Sequence, residues 1–186
     1  MIYIVSILFF LAFGVLVVLF FVFVLDSLWG GHDLPSSRRV IKHLIEAISQ
    51  YNPKAAILYD LGCGRGTVAL AINKKWPRLE TRGLDNSAIR IFFARLKARW
   101  LGRKVNFKKQ DFFQIDLRDA DVVYAYLWHD LMPLLEKKLR NELKRGAMVI
   151  TNTTKFPNWQ PVQKVITYPR TPKTPDFETL FVYVKS

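Results

Sequence analysis

Short apolar runs alternate with segments of helical period from Ala55 to Thr153, and this alternation restricts the chain more than any other feature. The runs "AAILYDLG", "ETRGLD", "KVNFKKQD", "ADVVYAYLW" and "AMVITNT" are short and bounded by turn residues, so each predicts a strand. Between them, "TVALAINKKW", "SAIRIFFARLKARWLG" and "LMPLLEKKLRNELKRG" predict helices. Pro77 ends the first, Ser87 and Gly102 bound the second, and Gly146 is expected to cap the third. An earlier helix runs from a Ser36 or Ser37 cap to Tyr51, with Val40, Ile41, Leu44, Ile45 and Ile48 on its apolar face and Asn52-Pro53 as its stop. Two β-rich runs, "VQKVITY" and "ETLFVYVK", joined by "PRTPKTPD", predict a terminal hairpin with a long loop. Strand and helix in alternation predict an α/β fold with a doubly wound, mostly parallel sheet, to which the hairpin adds an antiparallel strand. Such sheets bind ligands beyond the carboxyl ends of their strands, where the strand order reverses.

A different physics governs the N-terminus. No charged residue occurs from Ile2 to Leu25, and Asp26 is the first. About 24 helical residues reach roughly 36 Å, more than a hydrocarbon core of about 30 Å. A cleaved signal peptide calls for a basic start, a shorter apolar core and a small-x-small site, whereas this segment has no Lys or Arg and ends in bulky "FVFVLDSLW". The expected division is therefore a transmembrane anchor over 1–26, a linker over 27–35 and a globular domain over 36–186. Arg38, Arg39 and Lys42 lie just past the apolar segment, so the positive-inside rule predicts a single-pass protein with its domain on the cytoplasmic side.

Net charge is +13, and every Lys and Arg follows the apolar segment. Anionic lipid of the bilayer, nucleic acid or an acidic partner would each answer such a charge. One cysteine, Cys63, excludes an internal disulfide and a cysteine-built zinc site, and the three histidines are too scattered for metal-ligand spacing, so no metal is expected.

The turn after the first strand, "DLGCGRG", carries the chemistry. Gly62-x-Gly64-x-Gly66 is led by Asp60 and followed by a helix. A dinucleotide loop reads G-x-G-x-x-G, and a P-loop ends in Gly-Lys-Ser/Thr; neither pattern is present. Asp60 disfavours a pyrophosphate and suits a ligand with an amino group. Asp85 closes the second strand in "GLDNS", where a carboxylate can accept both hydroxyls of a ribose. Asp111 closes the third in "KKQDFF", where an acid can accept from an exocyclic amine. Each feature alone also reads as a tight turn or a helix cap. Their order on three successive strand ends is what points to a ligand.

This set resembles the class I (seven-β-strand) S-adenosylmethionine-dependent methyltransferases, over about Ser36 to the C-terminus. "DLGCGRG" is similar to their first motif, Asp85 to their ribose acid and "QDFF" to the acid after their third strand. The resemblance implies a Rossmann-like fold and S-adenosyl-L-methionine held by Asp60, Gly62, Cys63, Gly64, Gly66, Asp85, Asn86, Asp111 and Phe112. "MPLLEKKLRNELKRGAMVITNTTKFPNW" further resembles a small family of membrane-anchored protein-lysine methyltransferases acting on the ATP synthase c subunit and the adenine nucleotide translocase. Arg65 stands where that family usually has an acid, and Asp85 where it has Glu. The implied partners are a membrane bilayer and a protein substrate in or at it.

A lysine acceptor must be neutral, and burial among apolar and aromatic groups lowers its pKa. Tyr126, Leu127 and Trp128 after the fourth strand, and Phe156, Pro157 and Trp159 after the fifth, are the expected lining. Trp128 and Trp159 equally suit packing. His129 suits a base or a surface helix start, and Asp130 a base or an N-cap. Tyr126, Trp128 and His129 form the candidate catalytic set, and Phe156, Pro157 and Trp159 the candidate substrate contacts. Asp116, Asp119 and Asp121 read as loop residues. The helix after the second strand carries Arg90, Arg95, Lys97, Arg99 and Arg103, on either a solvated face or one against anionic lipid. Competing functions are methylation of a lipid-soluble small molecule, methylation of RNA, and a non-catalytic cofactor-fold membrane module. For the RNA reading an Asn-Pro-Pro-Tyr-like motif is wanted, and "YLWHD" is not one.

Overall fold

A computed structural model describes residues 2–29, 34–168 and 177–186. The chain divides into two compact units, Met1–Leu34 and Pro35–Ser186. In the first lies the helix α1 (Ile2–Trp29), whose side chains are exposed from Tyr3 to Phe21. Its stretch Tyr3–Val22 is long and apolar enough to cross a bilayer. The helix continues through Asp26 to Trp29, so the linker expected from residue 27 begins inside it.

The second unit runs α2 (Arg38–Tyr51), β1 (Ile57–Leu61), α3 (Thr67–Lys75), β2 (Glu80–Asp85), α4 (Ala88–Trp100), β3 (Val105–Lys109), β4 (Val122–Ala125), α5 (Met132–Glu142), β5 (Met148–Asn152), β6 (Gln163–Ile166) and β7 (Thr179–Val184). Serines start two of the helices as expected. Ser37 Oγ accepts from Val40 N–H at 3.3 Å, and Ser87 Oγ from Arg90 N–H at 3.2 Å. The strands form one sheet in the order β3-β2-β1-β4-β5-β7-β6. The first five are parallel, and β7 enters antiparallel between β5 and β6. This is the Rossmann-like methyltransferase arrangement, with the order reversing between β1 and β4.

Strand pleating sends alternate residues to two cores. Leu58, Val122, Tyr124, Ile150 and Val182 pack under Val40, Leu44 and Ile48 of α2 and Val68 and Ile72 of α3. On the opposite face, Tyr59, Leu61, Val123, Val149 and Phe181 pack under Leu135 and Leu139 of α5. A third cluster joins Ile91, Ala94 and Ala98 of α4 to Phe107 of β3 and Ala69 of α3. All three cores are built from residues of Pro35–Ser186, which therefore carries a complete interior of its own. Between β3 and β4 the chain makes only a 3-10 turn, Phe112–Gln114, before an irregular segment.

Several expectations need correction. β4 stops at Ala125, leaving Tyr126–Trp128 outside the ladder. Its neighbours pair no further: Leu61 and Thr151 both end opposite Ala125. Gly146 is not the cap of α5. The helix ends at Glu142 with Leu143 N–H donating to Leu139 O at 3.0 Å, and Gly146 (φ +80°) sits in the next turn. Asp130 is not an N-cap; it lies within a 3-10 turn, His129–Leu131, and α5 has no side-chain cap. The loop "PRTPKTPD" lies outside the described residues.

Candidate functional site

The site is built at the carboxyl ends of β1, β2 and β4, where the sheet order reverses. Leaving β1, the chain turns sharply. Gly62 and Cys63 N–H both donate to Leu84 O of β2, at 2.8 and 2.9 Å. Gly64 N–H donates to Asp85 Oδ2 at 2.9 Å, and Gly66 N–H to Cys63 O at 2.9 Å. These four amides are thus committed to acceptors within the fold, so the loop offers no cluster of them to a pyrophosphate. This is the physical content of the departure from the dinucleotide spacing.

Two glycines are obligatory on local grounds. Gly66 holds φ +76° as α3 begins, and a Cβ there would meet Phe107 Cζ at 2.4 Å. Gly62 holds φ +71°, with Leu127 Cδ2 only 2.6 Å from the place of its Cβ. Cys63 is buried, and its Sγ lies 3.8 Å from Gly64 O.

The three acids differ in setting. Asp60 is 2% exposed, and its Oδ2 accepts from Ala69 N–H at 3.1 Å in the first turn of α3. Burial pushes its pKa up to about 7; the Ala69 amide opposes this and the charge of Asp85 adds to it. Asp85 accepts from Gly64 N–H through one oxygen and from Ser87 N–H, at 2.8 Å, through the other. Asp111 caps the 3-10 turn by accepting from Phe113 N–H at 2.9 Å. Phe112 beside it is buried, and Asn86 is exposed. Asp60 is thus a desolvated carboxylate with the charge of a second carboxylate, Asp85, acting on it. These acceptors fit a ligand that donates from a cationic amino head and hydroxyls, as S-adenosylmethionine does. Among the described residues no group of three His, Cys, Asp or Glu is placed to hold a metal ion.

The acceptor-side candidates are spread out. Tyr126 is half-buried against the core under α2. Leu127 leans over Gly62 and packs on the core under α5. Trp128 is exposed, and the exposed His129 has its Nε2 2.7 Å from Asp130 Oδ1. Phe156 is buried, stacking on Trp159 (centroids 5.8 Å) and meeting Tyr183 at 4.8 Å, while Pro157 is exposed. Phe156 N–H donates to Tyr183 Oη at 3.0 Å, and Asn158 N–H to the buried Glu136 at 2.9 Å. Glu136 and Tyr183 thus fix the "FPNW" turn from beneath.

A neighbouring constellation escaped the sequence reading. Ser36 Oγ and Tyr124 Oη are 2.7 Å apart and buried. Glu178 Oε1 accepts from Ser37 N–H at 2.8 Å, while its own N–H donates to Thr153 Oγ1 at 3.0 Å. Thr153 and Glu178 hold φ of +68° and +49°, which side-chain-bearing residues seldom adopt, and such strain gathers at functional sites. Asn152 Nδ2, at the end of β5, is buried with no hydrogen-bond partner among the described residues. A tyrosine inside an apolar strand and the polar run "TNTT" were the available signals.

The family model of the ANTKMT methyltransferase domain matches residues 60–163. A protein-lysine N-methyltransferase of Saccharolobus islandicus is 26% identical over 136 residues, 71% of this chain and 82% of that protein. The adenine nucleotide translocase lysine N-methyltransferase of Mus musculus is 34% identical over 110 residues, 58% of this chain; the match spans 48% of the mouse protein, less than half its length. Among solved structures, an RNA methyltransferase from Salinibacter ruber in complex with S-adenosyl-L-homocysteine superposes with a TM-score of 0.69. It is 22% identical, covering 81% of this chain and 93% of that one, a likeness of fold.

Proposed function

The chain belongs to the ANTKMT methyltransferase-domain family, and from that premise we propose that it methylates a lysine side chain of a protein in or at a membrane. That it is a class I S-adenosylmethionine-dependent methyltransferase follows from the family and the fold. The observation that carries the site assignment is the pair of buried carboxylates, Asp60 and Asp85, around a glycine loop whose amides are already committed. The names of the archaeal and mouse relatives support a lysine acceptor.

Bound at the strand ends, S-adenosylmethionine supplies an electrophilic methyl group. Asp60 is assigned to its amino head, Asp85 with Asn86 to the ribose hydroxyls, and Asp111 with Phe112 to the adenine edge. Gly62, Cys63, Gly64 and Gly66 let the backbone approach. Tyr126 and Trp128 then flank the acceptor amine and keep water from it, so that the amine is neutral and in line. Pro157 and Trp159 border the entrance, with Phe156 as the buried support beneath them. His129, paired with Asp130 at the surface, is assigned to take the released proton outward to solvent.

In this reading residues 1–26 are a single-pass anchor, 27–35 join it to the domain, and 36–186 are catalytic on the cytoplasmic side. The length and composition of α1 and the basic residues Arg38, Arg39 and Lys42 support it. The test is to incubate the full chain and native membranes with methyl-labelled S-adenosylmethionine, then separate protein, lipid and RNA. Label in protein, recovered as methyl-lysine on hydrolysis, is expected. Label confined to lipid or RNA overturns the proposal.

A further inference from the structure

Helix α4 has two apolar faces, although a helix at the edge of a single core needs only one. Its inner face is formed by Ile91, Ala94 and Ala98 with the buried Arg90, which therefore does not belong to the outward basic set that the sequence suggested. On the opposite side, Ile89, Phe92, Phe93, Leu96 and Trp100 recur three and four residues apart, on an arc of roughly 100°. Phe92 is 61% exposed, Leu96 52% and Trp100 84%. Leu101 extends the exposed apolar surface past the last turn.

The charges around this stripe are arranged, not scattered. At 3.6 residues per turn, Lys97 borders it on one side and Arg95 and Arg99 on the other, with Arg103 just beyond the helix end. Arg95 is fixed there, its Nε and Nη2 donating to Phe107 O at 2.9 and 2.7 Å. An aromatic stripe between two basic margins matches the boundary of an anionic bilayer, where rings sit among the acyl chains and cations meet the headgroups. We infer that the outer face of α4 is a second membrane contact, inserting Phe92, Leu96 and Trp100 into an anionic leaflet. This rests on the membrane reading above and deepens it. α4 begins three residues after Asp85, so the stripe starts beside the site, and docking by it would open the site along the membrane surface, towards acceptors held there.

The test uses residues 35–186, which have their own cores. Vesicles of phosphatidylcholine alone are compared with vesicles in which one lipid in three is phosphatidylglycerol, by co-sedimentation and by quenching of tryptophan emission with brominated acyl chains. Binding to the anionic vesicles with quenching that disappears in Trp100→Phe is expected. The variant Phe92→Ser/Leu96→Ser/Trp100→Ser and the variant Lys97→Glu/Arg99→Glu/Arg103→Glu should each lower the partition coefficient about a hundredfold. Both should keep the wild-type Tm and S-adenosylmethionine affinity, since these side chains lie outside the cores and the site. Absence of binding, or binding that neither variant weakens, overturns the inference. So does sedimentation equilibrium showing a dimer that the apolar variant dissociates, because a second copy would then cover the stripe. If the domain does not bind S-adenosylmethionine at all, the proposed function fails instead, a result independent of the vesicles.

Discussion

In the proposed site, Asp60 would trade stability for ligand binding. Its folded pKa of about 7 lies above the ordinary value of 3.8, chiefly because burial disfavours the charge. Between those values the native state binds more protons than the unfolded chain, so stability falls as pH rises from about 4 to about 7 and the loss is complete above that. Asp60→Asn should therefore raise the apparent Tm of the ligand-free protein at pH 8, by a gain of at most about 4 kcal/mol, and by only about 1 kcal/mol at pH 4.5. The same substitution removes the anion that a cationic amino head needs. Calorimetric titration should show wild-type affinity for S-adenosylmethionine weakening below about pH 7 and the variant's affinity low and flat with pH. A variant that is no more stable at pH 8 would refute the burial argument. Gly66 makes the complementary case by shape. Gly66→Ala should cost about 2–4 kcal/mol in urea unfolding, combining strain at φ +76° with the clash against Phe107. Adding Phe107→Leu should recover part of this, because it relieves the clash and leaves the backbone strain.

At the scale of elements, what could be read from the sequence is what neighbours in sequence decide. Ser37 and Ser87 start their helices because the Oγ and the amide it accepts from are three residues apart. Asp85 was legible for the same reason, since it closes β2, whereas β1 runs one residue past Asp60 and β3, expected to end at Asp111, stops at Lys109. The end of β4 was not, because "YLW" is as apolar as the strand before it, and only the ends of β1 and β5 terminate the pairing. Gly146 misled for a similar cause. Leu143 is drawn into the core at 4% exposure and ends α5 three residues early. "DLRDAD" looked like plain loop because its partners are distant in sequence. Asp119 accepts from Arg82 at 2.5 Å and from Tyr59 Oη at 3.0 Å. Asp121 Oδ2 accepts from Ala56 and Ile57 N–H at 2.8 and 2.9 Å, and its Oδ1 pairs with Lys144 at 2.5 Å. Burial pushes the Asp121 pKa up, but Lys144 and the two amides outweigh it and hold the group below its ordinary value. Asp121→Ala should thus destabilise the domain by about 2 kcal/mol in urea unfolding at pH 7. The stability that the carboxylate confers should be lost as pH falls below about 4, so the difference between wild type and variant should shrink there.

For the whole molecule, the question is why a domain with its own cores is joined to a helix whose side chains are exposed from Tyr3 to Phe21. Exposed apolar length of that extent is costly in water and favourable in a bilayer, so the two units have opposite solvent requirements. The acids assigned to the ligand in the proposed function, Asp60, Asp85 and Asp111, all lie in Pro35–Ser186, so that proposal asks nothing of α1 at the chemical step. In the proposed reading the helix acts on encounter. A catalyst confined to the acceptor's own membrane meets it at an effective concentration that free diffusion does not reach. Deleting residues 1–34 should leave Tm and S-adenosylmethionine affinity unchanged. It should leave the rate on a soluble lysine peptide unchanged as well, while lowering the initial rate on the acceptor in native membranes by about a hundredfold. Restoring an unrelated apolar span in front of Pro35 should return most of that rate, because the argument asks only for confinement. If the unrelated span fails where α1 succeeds, α1 must recognise something by its own side chains, and confinement alone would not account for it.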